Sequence, residues 1–204
     1  TIDAANYNTG VGVDVFAALT SGDENTAVGT GALGSSTTAS GNTAVGRNAL
    51  LANTTGTRNT ALGYATLDAS TTGDYNTAVG GLALSTNTTA DNNTGVGFQA
   101  LYLNTTGTAN TAVGALSLDA NTTASHVTAV GKGALGANTT GTRNTAVGSE
   151  AADAINTGQD NTAIGSLALS ADTKGNYSTA IGRGALKLQN FTSSTSAHNT
   201  AVGY

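Results

Sequence analysis

Apolar and polar residues alternate along this chain in short bursts rather than long runs. Each burst reads polar, small, branched, glycine, as in Thr26-Ala27-Val28-Gly29 and Thr43-Ala44-Val45-Gly46. Alternation of period two is the mark of a half-buried β-strand. The bursts recur: Asn-Thr-Ala-Val-Gly or a close variant begins at Asn8, Asn25, Asn42, Asn59, Asn76, Asn93, Asn110, Val127, Asn144, Asn161, Ser178 and Asn199. The first ten steps are 17 residues each and the last is 21, so four residues are inserted within 187–198. A register held over so many copies identifies a repeat protein, whose units bury apolar surface by stacking on one another.

Within the unit, numbered from its Asn, position 4 is always Val, Ile or Leu and position 5 is always Gly. Position 9 is Phe16, then Leu from Leu33 to Leu186 except at Ala152. Positions 13 and 14 are mostly a Thr pair, as at Thr54-Thr55, position 15 is mostly Gly, and positions 6, 7 and 17 vary. A unit this short cannot hold the two helices of common helical repeats and suits one coil of a β-solenoid. The predicted class is all-β, a parallel β-solenoid of about twelve coils forming one domain over residues 1–204. Its coils are regular over 8–177 and incomplete at both ends.

Each coil is expected to hold two short strands separated by two turns. In the first, Val at position 4 points inward with Thr at position 2, and Ala at position 3 points outward; in the second, Leu at position 9 points inward. The expected core is therefore Val28, Val45, Val79 and Val113 with Leu33, Leu50, Leu84 and Leu135. The invariant Gly permits a bend, and the Asn-Thr-Thr-Gly segment closes the coil. The position-1 Asn predicts a ladder of stacked amides, each bonding to its copy one coil away. A helical turn at Ala49–Ala52 competes locally, but the Thr pair and Gly that follow would stop it at once.

One Val and one Leu per coil is little apolar burial for seventeen ordered residues. That shortfall points to an oligomer, with the Ala columns at positions 3 and 8 as the surfaces through which copies pack. Neither end carries the polar cap that an exposed solenoid end needs, which suggests a segment of a longer protein.

Composition narrows the chemistry. Charged residues are 9% of the chain, against about 25% in ordinary domains. A net charge of −5 with seven scattered Lys and Arg opposes nucleic-acid binding, which needs clustered cations. No apolar run is long enough to cross a bilayer, so no membrane insertion of this segment is expected. With no Cys and two His, His126 and His198, neither an enzyme nor a cofactor or metal site is expected. Asp74 and Asp91 share position 16 in neighbouring coils, but the run stops there. Candidate binding residues lie in the variable columns: Tyr75, Tyr177, Arg58 and Arg143 at position 17, and Tyr64 and Phe98 at position 6. Tyr and Arg are the residue types that anchor recognition surfaces; the ordinary reading is that these are simply exposed positions. Asn53-Thr54-Thr55 matches the glycosylation sequon, as chance allows in a chain rich in Asn and Thr.

The segments Asn42-Thr43-Ala44-Val45-Gly46 and Ser178-Thr179-Ala180-Ile181-Gly182 resemble the Ser-Val-Ala-Ile-Gly core of YadA-like head repeats. Those repeats occur in trimeric autotransporter adhesins and related bacteriophage tail-fibre proteins, and the likeness extends over all twelve copies. Thr stands where that family often has Val, as at Thr43 and Thr60. The resemblance implies a left-handed β-roll, a homotrimer, and an extracellular place on a bacterial cell surface or a phage virion tail. The function it implies is structural and adhesive, a fibre segment that presents a contact surface to a host-surface glycan or protein. Two alternatives stand beside it. One is an ice-binding solenoid with Thr columns, opposed by the adjacent Thr pair, whose side chains face opposite ways. The other is a purely mechanical spacer.

Overall fold

The computed structural model describes residues 6–204; the incomplete coil expected over the first residues lies outside them as far as residue 5. Each Thr-Ala-Val triplet forms a three-residue strand. In chain order these are β1 (Thr9–Val11), β2 (Thr26–Val28), β3 (Thr43–Val45), β4 (Thr60–Leu62), β5 (Thr77–Val79) and β6 (Thr94–Val96). They continue as β7 (Thr111–Val113), β8 (Thr128–Val130), β9 (Thr145–Val147), β10 (Thr162–Ile164), β12 (Thr179–Ile181) and β14 (Thr200–Val202). Two shorter strands, β11 (Gly175–Asn176) and β13 (Thr195–Ser196), pair separately.

The twelve triplets form one parallel sheet in sequence order. Like pairs with like at every rung: Thr26 with Thr43, Ala27 with Ala44, Val28 with Val45. The chain is thus a parallel β-solenoid climbing one rung per 17 residues, and no helix forms among the described residues. Between β12 and β14 the step lengthens, Thr179 pairing with Thr200. The extra residues are located by their neighbours. Lys174 N–H still reaches the Phe191 carbonyl, whereas Gly175 pairs with Thr195 and Tyr177 stacks on His198. Three residues therefore enter between Phe191 and Thr195, and a fourth is Ala197.

The strands are turned over relative to the sequence expectation. Ala27, Ala44, Ala78 and Ala112 at position 3 are fully buried, while Val28 is 36% exposed and Val45, Val79 and Val113 are half-buried. Of the expected core, Leu33, Leu50, Leu84 and Leu135 are fully buried; the four valines line the outer face. The Ala columns at positions 3 and 8, expected to face other chains, are instead interior, as Ala32 and Ala49 show. The reason is room. Leu from position 9 fills the lumen, so the opposing strand can offer only Ala or Gly. Even at Gly95 an added methyl would sit 3.3 Å from Leu84 Cγ. Because strand side chains alternate with period two, admitting Ala sends both neighbours outward.

The expected second strand is absent. Positions 6–11 run through turns with left-handed residues at alternate positions, as at Leu82 (φ 61) and Leu84 (φ 53). Left-handed backbone disfavours branched and bulky side chains, yet here it aims successive N–H groups at different acceptors. Gly80 N–H reaches Leu62 and Leu82 N–H reaches Tyr64 in the coil below, while Leu84 N–H reaches Ala100 in the coil above. Ala83 and Asn87 N–H close turns on Gly80 and Leu84 within the coil. Position 5 is the one place where only Gly serves. Gly80 has φ 120, and a Cβ there would lie 2.7 Å from the Gly97 carbonyl one rung up.

The predicted amide ladder forms, and a second accompanies it. At position 1, Asn42 N–H and Nδ2 donate to Asn25 Oδ1 at 2.9 and 3.2 Å, and Nδ2 also donates to the Gly56 carbonyl at 2.9 Å. At position 12, Asn104 Nδ2 donates to Asn87 Oδ1 at 2.9 Å and Asn121 Nδ2 to Asn104 Oδ1 at 2.8 Å. Both columns are buried, where an unsatisfied amide would be costly.

Candidate functional site

Two kinds of surface result from this winding. The first is the outer face of the twelve-stranded sheet. Positions 2 and 4 project from it, giving a Thr column beside a Val/Ile/Leu column along its whole length. Leu62, Ile164 and Ile181 are 47%, 39% and 37% exposed. None of these positions carries a charge. The position-13 hydroxyls are occupied, Thr37 and Thr54 each donating to the carbonyl of the next coil at 3.0 Å. The position-2 hydroxyls have no such partner among the described residues.

The second comprises the columns flanking that face, position 17 before the strand and position 6 after it. Position 17 is left-handed throughout, as at Arg58 (φ 56), Tyr75 (φ 57), Arg143 (φ 55) and Tyr177 (φ 60), which directs its side chains clear of the lumen. Stacking coils brings like positions together. Arg58 donates to Tyr75 Oη and lies over its ring, 5.3 Å from the centroid. Arg143 grips Asp160 with two bonds, Nε to Oδ1 at 2.6 Å and Nη2 to Oδ2 at 2.8 Å. That hydrogen bond raises the Arg143 guanidinium above, and lowers the Asp160 carboxyl below, their ordinary values. Tyr177 stacks on His198 at 5.0 Å and 11°. At position 6, Arg47 covers Tyr64 at 5.7 Å and Arg183 covers Tyr204 at 5.5 Å. Phe98 stands exposed two rungs above Tyr64, with Gly81 between.

The six candidate binding residues are therefore all exposed but do not form one site. Tyr64, Phe98, Arg58 and Tyr75 gather around β3 to β6, on either side of the sheet face; Arg143 and Tyr177 belong to a separate stretch near β9 to β12. Position 16 has a role that the sequence reading missed: its side chains accept from the backbone one coil below. Asp74 Oδ1 accepts from Thr57 N–H at 2.6 Å, and Asp91 Oδ1 from Asp74 N–H at 2.8 Å. Column 16 reads Asp, Ser, Thr, Gln or Asn in every regular coil, all side chains with an acceptor, and that restriction was the available signal.

Asp119 and Asp153 share position 10 beside Glu150. Burial raises both carboxyls above their ordinary value, and the Glu150 charge adds to the rise at Asp153. No group of three His, Cys, Asp or Glu able to hold a metal ion occurs among the described residues. No described helix is long and apolar enough to cross a membrane. Asn53, in the sequon, is fully buried.

Fold and surface together define a β-solenoid repeat protein with one continuous sheet face of hydroxyls and branched aliphatics, edged by two variable columns. Compared with protein-family models, with curated proteins and with solved structures, the chain matches none.

Proposed function

We propose that the chain is a stiff structural and adhesive segment of a homotrimeric extracellular fibre, of the kind carried by a bacterial surface adhesin or a phage tail. The observation that supports this reading is the Thr/Val face. It runs unbroken over all twelve rungs, about 50 Å at the usual strand spacing. With three residues of width it amounts to about 500 Å² of uncharged Thr and branched aliphatic surface, the size of the largest apolar patch on a typical monomer, which is often functional. A second and third copy, carrying the same face in the same register, would cover it. The variable columns at its edges would remain free for a host surface. Light scattering on the purified segment tests the assembly. The trimer is expected, and replacing Val113 and Val130 together by Asp should give a folded monomer, because unpaired buried carboxylates oppose docking. A wild-type chain that is a monodisperse monomer would sink the trimeric fibre.

One observation favours a second reading, an ice-binding face. Thr occupies position 2 in all twelve copies, its hydroxyl without a partner among the described residues, in one parallel sheet that pairs Thr with Thr at every rung. This is a different column from the Thr pair weighed in the sequence. Ice shaping and thermal hysteresis by the monomer, lost when Thr111 and Thr128 become Leu, would establish it in place of the fibre.

A further inference from the structure

Four successive rungs of column 6 carry Arg47, Tyr64, Gly81 and Phe98, the stretch of that column in which two aromatics flank a glycine rung. They span about 14 Å at the usual strand spacing. Tyr64 and Phe98 are 52% and 54% exposed, and the Gly81 rung between them has no side chain. A methyl placed on Gly81 would already touch Phe98 Cδ2 at 3.8 Å, so that ring leans over the gap and the two aromatics form a shelf with a shallow floor. At its lower end the Arg47 guanidinium lies 5.7 Å from the Tyr64 ring centre. Among the described residues no carboxylate pairs with Arg47, and the ion pair found is Arg143–Asp160. Beside the shelf, column 7 supplies Asn48 and Gln99, and no Asp or Glu falls in either column over these four rungs.

Each part has one chemistry in common. An aromatic face takes the C–H face of a pyranose, amides bond its hydroxyls, and a guanidinium held against a ring still offers its planar fork to a two-oxygen carboxylate. We propose that the column from Arg47 to Phe98 binds an acidic oligosaccharide. Its uronate carboxylate sits on Arg47, its ring faces lie on Tyr64 and Phe98, and its hydroxyls meet Asn48 and Gln99. Arg47 carries the one charge in columns 6 and 7 over these four rungs, which favours an anionic sugar over a neutral one. The site names a ligand class for the contact columns and rests on reading them as contact surfaces.

Titration of the purified chain with trigalacturonate, followed by tyrosine fluorescence and amide NMR shifts, tests it. Saturable binding is expected, at least tenfold tighter than for a neutral trisaccharide. Arg47→Gln should abolish that preference, and Tyr64→Ala or Phe98→Ala should weaken both sugars by about tenfold, the scale of one lost stacking contact. Column 6 holds Thr30, Ala115 and Ser149 in other coils, so these variants should fold, as circular dichroism would verify. Three results overturn the proposal: no saturation by either sugar, binding indifferent to all three substitutions, or tighter binding of a sulfated trisaccharide. The fibre reading fails separately, since a monomeric chain that still binds trigalacturonate through these residues retains the site.

Discussion

At the scale of single residues, the buried amide columns expose their own gaps. In column 12, Ser70 stands between Asn53 and Asn87, and both Asn53 Oδ1 and Ser70 Oγ are buried without a partner. In column 1, the Val127 N–H donates to Asn110 Oδ1 at 3.0 Å, but its side chain offers Asn144 no acceptor in return. Ser70→Asn and Val127→Asn each restore a rung, and each should stabilise the chain by about 1 kcal/mol, the net value of one hydrogen bond. Chemical denaturation measures it. Asp119 and Asp153, both raised by burial, should act with a sign opposite to Asp160. Burial first, then Glu150, raises the Asp153 carboxyl. The folded chain thus favours its protonated form, and that contribution is present below the ordinary carboxylate range and lost as pH rises through the folded value. Asp153→Asn should therefore raise Tm at neutral pH and change little in acid. Asp160, lowered by its bond to Arg143, contributes above the ordinary range and loses that contribution as pH falls. Asp160→Asn should lower Tm slightly at neutral pH alone, since the pair is exposed.

At the scale of the coil, the invariant Gly at position 5 is the hinge between strand and turns. Its φ near 130 and the carbonyl one rung away leave no place for Cβ, so Gly80→Ala, whose methyl would lie 2.7 Å from Gly97, must move backbone. A loss of about 3 kcal/mol or more is expected from strain and a broken rung. Hydrogen exchange should show it centred on β5 and β6 and fading within a few coils, because contacts join neighbours only. The coil also shows where the sequence misled. Period-two alternation located every strand of the twelve-stranded sheet, though not β11 and β13, and not which side faced in, since Thr-Ala-Val reads equally well both ways. The size limit at position 3, Ala or Gly in every copy, was the better guide. A position that accepts Val, Ile and Leu alike is under weaker packing constraint than one that admits nothing beyond a methyl. The expected second strand fails for a different reason: alternating left-handed Leu residues, as at Leu82 and Leu84, have no signature in a one-dimensional pattern.

At the scale of the molecule, the seventeen-residue step controls everything, because each rung pairs like with like. Deleting residues 93–109 joins Asn92 to Asn110 and should leave a folded chain one coil shorter, with unchanged strand content per residue. Deleting 93–108 shifts every later side chain by one position against the rung below, which turns the buried and exposed sets over; that variant should unfold beyond the junction and aggregate. Limited proteolysis and circular dichroism distinguish the two.

The amino-acid sequence alone determined the repeat, its period, the strands of the main sheet, the Leu column and the position-1 amide ladder, because each depends on a residue and its own copy one rung away. Tertiary structure alone decided which face of the strand turns inward, how columns 6 and 17 flank the sheet, and which side chains from different coils meet. Those depend on the width of the lumen and on the path between strands. Both are settled by how a leucine and an alanine share one narrow interior, a matter of volume that linear spacing does not record.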